Sequence, residues 1–210
     1  TISELEDIYL PYKPKKKTKA SIARERGLEP LAEKIWDQGN FDLEAESKNY
    51  TSEKVASPDV ALEGARHIIA EWLNEDRPAR EKIRNLFAKK AVVQSICTNK
   101  DNEDALKYKD YFDYLEPLAT ISSHRYLAII RGEKEKYLRV MISPDSAEGI
   151  SILEKIYIKS NNEASQQVML AIRDSYRRLL APSMENEFRA KAKESADSEA
   201  IAVFAHNQIG

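Results

Sequence analysis

Apolar positions recur along this chain mostly at helical spacing, with a few short runs at strand spacing. Ser3-Glu4-Leu5-Glu6 has capping-box form and predicts a short helix, stopped by Pro11 and Pro14. Helical pattern resumes over Ala20 to Arg26, where Ile22 and Ala23 are apolar and Gly27 stands where a glycine closes a helix. Pro30 suits the first turn of a further helix carrying Leu31, Ala32, Ile35 and Trp36. Lys19 to Gln38 therefore reads as helix, tight turn, helix. Gly39 to Ala56 is polar and acidic, a loop or a poorly ordered helix. Ser57-Pro58 places a cap residue before a proline and starts a helix whose Leu62, Ala65, Ile69 and Trp72 share one face. A helix over Ala79 to Lys89 turns Ile83, Leu86 and Phe87 inward.

Ala91 to Cys97 is rich in Val and Ile and reads as a strand. Asp104 to Phe112 reads as helix. Tyr126 to Ile130 and Tyr137 to Ile142 form the best strand pair, and the polar stretch Arg131 to Lys136 between them has hairpin-loop length. Glu148 to Tyr157 fits a helix, although Ile150, Ile152, Ile156 and Ile158 also allow a strand. Ser160-Asn161-Asn162-Glu163 has capping-box form and opens a long helical stretch, with a break expected at Pro182, to about Ala205. Val168, Leu170, Ala171, Ile172, Tyr176, Leu179 and Leu180 spread over more than half its circumference, as in a helix buried on several sides.

The expected fold is mainly α, a helical scaffold with a helix-turn-helix-like unit and a small antiparallel β-hairpin. Residues 1–56 would form a basic arm and the helix-turn-helix-like segment. Residues 57–160 would form a helical domain with short strands, and residues 161–210 the long connecting helices. Composition agrees: 32% of the 210 residues are charged, with 33 basic against 35 acidic, as long helices with solvated faces require. Six glycines are few for a sandwich or a glycine-rich phosphate-binding fold. The single cysteine, Cys97, excludes an intramolecular disulfide and fits a reducing, cytoplasmic setting. No apolar run is long enough to span a bilayer, and no signal peptide is visible. Thr1 rather than Met opens the chain, so a piece of a longer protein is expected.

Catalytic chemistry finds little support. His67, His124 and His206 have no metal-ligand spacing to one another or to Cys97. His67 falls off the apolar face of its helix and should be exposed. Ser122-Ser123-His124 lacks the glycines of a nucleophile elbow, so His124 is read as fixing the approach to the hairpin by a hydrogen bond. Cys97 ends an apolar strand and reads as an inert thiol. Acidic residues alternate with Lys and Arg along helices and make no general acid/base couple. There is no P-loop, dinucleotide fingerprint or zinc motif. A hydrolase is thereby disfavoured, and no cofactor or metal is expected.

One segment stands apart. Lys13, Lys15, Lys16, Lys17 and Lys19 fall within seven residues, with Tyr12 ahead of them and Arg24 and Arg26 following. Pro11 and Pro14 hold the segment extended. A row of ammonium groups on an extended chain can lie along a phosphate backbone, and the Tyr12 ring can stack on a base. Lysine in place of arginine favours contact that ignores base sequence. Tyr12, Lys13, Lys15, Lys16, Lys17, Lys19 and Arg24 are the candidate nucleic-acid contacts. The bland alternative is a solvated arm, or one paired with the acidic stretch Glu44 to Glu53.

Several collinear segments carry a family resemblance. They are Leu5-Glu6-Asp7-Ile8-Tyr9-Leu10-Pro11-Tyr12-Lys13-Pro14-Lys15-Lys16-Lys17, Gly27-Leu28-Glu29-Pro30-Leu31-Ala32, and Ala61-Leu62-Glu63-Gly64-Ala65-Arg66-His67-Ile68-Ile69-Ala70-Glu71. Further along come Lys109-Asp110-Tyr111-Phe112, Ser123-His124-Arg125-Tyr126-Leu127-Ala128 and Tyr176-Arg177-Arg178-Leu179-Leu180-Ala181-Pro182-Ser183-Met184-Glu185. Together they resemble the N-terminal part of the Tex family of bacterial transcription accessory proteins. The tyrosine-proline-lysine run is the most specific of them. The resemblance implies a mainly helical scaffold with a helix-turn-helix-like unit, followed in the full-length family by an RNase-H-like (YqgF-type) domain, helix-hairpin-helix motifs and an S1 RNA-binding domain. The chain would then stop ahead of the RNase-H-like domain, and Gln208-Ile209-Gly210 departs from the leucine-rich sequence the family pattern carries there.

These readings lead to a non-catalytic, cytoplasmic, nucleic-acid-binding transcription accessory protein. Its partner is RNA or DNA, held without regard to sequence. The competing expectation is an interaction scaffold for RNA polymerase or for the protein's own RNase-H-like and S1 domains. Phosphate contact would weaken steeply with salt, protein packing only shallowly.

Overall fold

The computed structural model describes residues 2–9 and 16–209. The described residues form ten α-helices and one small sheet, so the chain is mainly α. In order, the first helices are α1 (Ile2–Tyr9), α2 (Lys19–Glu25), α3 (Glu29–Trp36), α4 (Leu43–Lys48), α5 (Pro58–Glu75) and α6 (Arg77–Lys90). After strand β1 (Val92–Cys97), a 3-10 helix over Glu103–Tyr111 and strand β2 (Asp113–Pro117) come α7 (Ser123–Lys134) and strand β3 (Leu138–Ser143). The chain closes with α8 (Ser146–Tyr157), α9 (Glu163–Ser175), a π turn over Tyr176–Leu180 and α10 (Ala181–Ile209). Two compact units result, one from residues 1–83 and 146–182, the other from residues 84–145 and 183–210. A division at 56 and 160 follows chain order, whereas each compact unit joins two separated stretches.

The first unit is built round α5. Its start is fixed by Ser57, whose side chain accepts the Val60 N–H at 3.2 Å, and by Pro58 in the first turn. Ala61, Ala65, Ile68, Ile69 and Leu73 are buried and pack against α9, α2 and α3. Each large aliphatic side chain buried this way contributes about 1.5–3 kcal/mol. The α2–α3 turn forms as the sequence predicts: Gly27 takes φ +77°, and the Leu28 N–H returns to the Ala23 carbonyl at 3.1 Å. Gly64 lets that turn approach, since a methyl group there would meet Leu28 Cδ1 at 2.3 Å. Trp36 and Trp72, expected in the core, are only half-buried.

The C-terminal stretch differs from its expectation in three ways. The cap of α9 is Asn162, reciprocally bonded with Ser165, while the Glu163 carboxylate accepts the Leu43 N–H instead. The helix is not broken at Pro182. A π turn precedes it, and the wider turn accommodates a residue that lacks an N–H and would clash with the carbonyl four residues back. The apolar arc is also narrower than predicted. Leu180 and Tyr176 are buried, but Leu170 is 44% exposed and Leu179 is half-buried, leaving one wet face.

In the second unit β1 is central, antiparallel to β2 (Val93↔Glu116) and to β3 (Val93↔Ile142). The expected hairpin between Tyr126–Ile130 and Tyr137–Ile142 does not form. Only its second half is a strand, β3, in which Leu138, Val140 and Ile142 point inward. The first half is helix α7, which runs through Gly132. Its buried residues are Tyr126, Ile129 and Gly132, a spacing of three that belongs to a helix face. Gly132 is there for close approach, not for turn freedom: an added methyl would meet Leu138 Cδ1 at 2.5 Å and Tyr108 Cδ1 at 3.2 Å. The turn comes later, at Lys136, with φ +68° and the Tyr137 N–H bonded to the Gly132 carbonyl at 3.0 Å. His124 accordingly sits exposed in the first turn of α7, not beside a hairpin.

Candidate nucleic-acid interface

The lysine-rich segment has an anchor on either side. Before it, Asp7 of α1 binds the Arg80 guanidinium at 2.6 Å, and both side chains are nearly sealed from water (3% and 4% exposed). After it, Thr18 caps α2 in a reciprocal box with Ser21 and donates its hydroxyl to Glu71 of α5 at 3.3 Å. Arg24 binds the same Glu71 at 2.7 Å. Burial works against the charge on Arg24, but the hydrogen bond and attraction of Glu71, with help from Glu29, raise its pKa above the ordinary value.

Of the residues singled out from sequence, Tyr12, Lys13 and Lys15 lie outside the described residues. Lys16, Lys17 and Lys19 are exposed, and none has a carboxylate at ion-pair distance among the described residues. Arg24 faces the protein, held by Glu71. The exposed guanidinium is that of Arg26, two residues on. A groove of about 320 Å3 between α2 and α5 brings Lys19 and Arg26 together with Ile22, Val60, Glu63 and His67. His67 is half-buried rather than exposed, and burial pulls its pKa below the ordinary imidazole value. Its Nε2 lies 3.9 Å from Glu63. A sequence signal for Arg26 did exist. On a helix, Arg24 and Arg26 are about 200° apart, so they cannot share a face, but only the position of Glu71 decides which faces in.

The outward face of α3 has a different character. Glu33 and Asp37 are exposed there, and Lys34 is bound to Glu46 at 2.9 Å. Leu31, Ala32 and Ile35 are buried against the rest of the unit. The second helix of the helix-turn-helix-like pair thus offers carboxylates where phosphates would approach. Other candidate chemistry is dispersed. The Ser123 hydroxyl is bonded to Glu199, not to His124. Among the described residues no three His, Cys, Asp or Glu side chains gather to hold a metal ion, and no helix is long and apolar enough to cross a membrane.

Residues 39–204 match the protein family described as Tex central region-like. The chain is 39% identical, over 98% of its length, to the uncharacterised protein YdcI of Bacillus subtilis, of which it covers 29%. It is 35% identical to the transcriptional accessory protein Tex of Neisseria gonorrhoeae, over 97% of this chain and 28% of that one. The human S1 RNA-binding domain-containing protein 1 is 30% identical over 99% of this chain and 22% of its own length. The chain therefore spans less than a third of these relatives.

Proposed function

The chain belongs to the Tex family, and from that premise we propose that it is the part of a transcription accessory protein that grips RNA or DNA by its phosphates, without reading sequence. The contacts are the lysines of the segment Lys13 to Lys19, continued by Arg26 on the rim of the α2–α5 groove. Arg24 serves as their anchor. The observation that carries this reading is the set of exposed cations at Lys16, Lys17, Lys19 and Arg26, unmatched by any carboxylate within ion-pair distance among the described residues. Such cations displace condensed counterions when they meet a phosphate chain. The flanking anchors support it further, because a segment with both flanks fixed loses less entropy on binding. Two relatives, a transcriptional accessory protein and an S1 RNA-binding domain-containing protein, point the same way. In this reading the chain is cytoplasmic and has no catalytic centre.

The test is a filter-binding titration with RNA and DNA of unrelated sequences at low salt. Changing Lys15, Lys16 and Lys17 to Glu should weaken binding to all of them alike. Undiminished binding by that folded variant refutes the proposal. A second reading, a scaffold for RNA polymerase or for RNase-H-like and S1 domains of the same protein, draws on α1. Ile2, Leu5 and Ile8 recur there at helical spacing and are 83%, 66% and 52% exposed.

A further inference from the structure

The first unit also holds a box of aromatic rings. Trp36 at the end of α3, Trp72 on α5 and Tyr157 at the end of α8 line a cavity of about 240 Å3 with Leu73 and Asp76. The two indoles meet edge to face, with centroids 6.3 Å apart and planes at 77°. Trp36 and Tyr157 are tilted at 41°, with centroids 5.7 Å apart. Among the described residues, Asp76 is the one charged side chain that lines the cavity. Its Oδ2 accepts the Tyr157 hydroxyl and, at 3.3 Å, the N–H of Ala79, while no described residue donates to Oδ1. Burial and the bond to Asp76 push the Tyr157 phenol far above its ordinary pKa, so Tyr157 keeps its proton and donates it to Asp76 in a hydrogen bond.

Ring faces carry negative potential, and three rings around one carboxylate are complementary to an organic cation. A nucleotide fits poorly. Among the described residues no Lys or Arg lines the cavity to meet a phosphate, and the volume falls below the roughly 300–1,000 Å3 of pockets for larger ligands. Exposed Glu33 and Asp37, on the same helix end as Trp36, add negative charge that would suit further basic residues. We infer that this box binds the head group of a basic side chain, an arginine guanidinium or an alkylated lysine ammonium, presented by a peptide partner.

Trp36 and Trp72 are the only two tryptophans in the chain, so intrinsic fluorescence reports the site directly. Four probes separate the possibilities: choline, its neutral isostere 3,3-dimethyl-1-butanol, a blocked arginine (N-acetyl-arginine amide) and guanosine monophosphate. Saturable change is expected with choline and with blocked arginine, at least tenfold weaker binding with the neutral isostere, and none with the nucleotide. Asp76→Asn keeps a side chain able to cap α6 and should lose at least tenfold in affinity for both cations. Trp72→Leu, followed by calorimetry, should lose at least fivefold. Equal binding of the neutral isostere or of the nucleotide would overturn the inference. So would cation binding undiminished in either folded variant. Choline binding without arginine binding would overturn the guanidinium as the head group and leave the alkylated lysine ammonium.

Discussion

In the second unit, Arg84 lays its guanidinium on Glu187 at 2.8 and 3.1 Å, Arg125 on Glu116 at 2.6 and 3.2 Å, and Arg189 on Glu133 at 2.7 and 3.1 Å. In the first unit, Lys16, Lys17, Lys19 and Arg26 have no such partner among the described residues. The residue types are alike in charge and opposite in use. A guanidinium fork on a partly buried carboxylate fixes geometry. The Glu187 carboxylate shows the strength of that coupling: burial opposes its charge, yet hydrogen bonding to Arg84 holds its pKa below the ordinary value. An exposed ammonium with no partner contributes almost nothing to the fold, so its worth lies in what it meets outside. Position relative to a carboxylate, not residue type, separates cations that fix the fold from cations left to the solvent. Arg24 and Arg26 draw the same line at the C-terminal end of α2, Arg24 inside the helix and Arg26 capping it.

The largest effect should come from the apolar frame on which the unpaired cations stand. Leu180→Ala should lower stability by about 2–5 kcal/mol through a cavity, and Leu179→Ala, at a half-buried position, by clearly less. Urea unfolding of both variants measures the difference, and equal losses would mean that the π turn does not set the register assigned to it. Next comes a paired cation. Arg189→Ala strips contacts from Glu133, Glu185 and the Val140 carbonyl and should cost about 2–3 kcal/mol, with phosphate binding unchanged wherever the protein is folded. A variant that binds nucleic acid more weakly while folded would erase the contrast between the units.

The unpaired cations should behave in the opposite way. Changing Lys16, Lys17 and Lys19 to Glu should move the urea midpoint little, within about 0.5 kcal/mol, and reduce affinity by roughly tenfold or more at low salt. The smallest effect concerns His67. Its pKa in the folded protein lies below the ordinary value of 6.5, so protons bind the unfolded chain more tightly. Its contribution to stability is therefore full above about pH 6.5 and is lost as pH falls through the lowered value. His67→Gln should remove that part of the pH dependence. A stability profile from pH 7.5 to 5 identical to that of the parent would show that His67 is not buried as described.

How much of this could be read in the sequence depended on whether the deciding contact was local. Ser57-Pro58, the Gly27 turn, β1 and β3 were legible because caps, turn residues and alternation act within a few positions. Tyr126 to Ile130 was misread because a short apolar run is compatible with either period, and Gly132 resembles a turn residue until Leu138 and Tyr108 are seen against it. Strand β2, with the sequence Asp-Tyr-Leu-Glu-Pro, is a half-polar edge that only the pairing to β1 reveals. The lysine density was visible at once. The inward turn of Arg24 was not, because Glu71 lies 47 residues away in sequence. Trp36 and Trp72 looked like core residues on periodicity alone, and the cavity they frame exists only after α8 brings Tyr157 to them.

In the proposed function, phosphates are held by Lys16, Lys17 and Lys19 at the root of α2, which have no carboxylate at ion-pair distance among the described residues. The slope of log affinity against log salt concentration counts the phosphates held. It should be the same for unrelated sequences, and the variant with Lys16, Lys17 and Lys19 changed to Glu should show a slope smaller by about 2–3. An unchanged slope and an unchanged affinity in that variant, with its fold intact, would contradict the account.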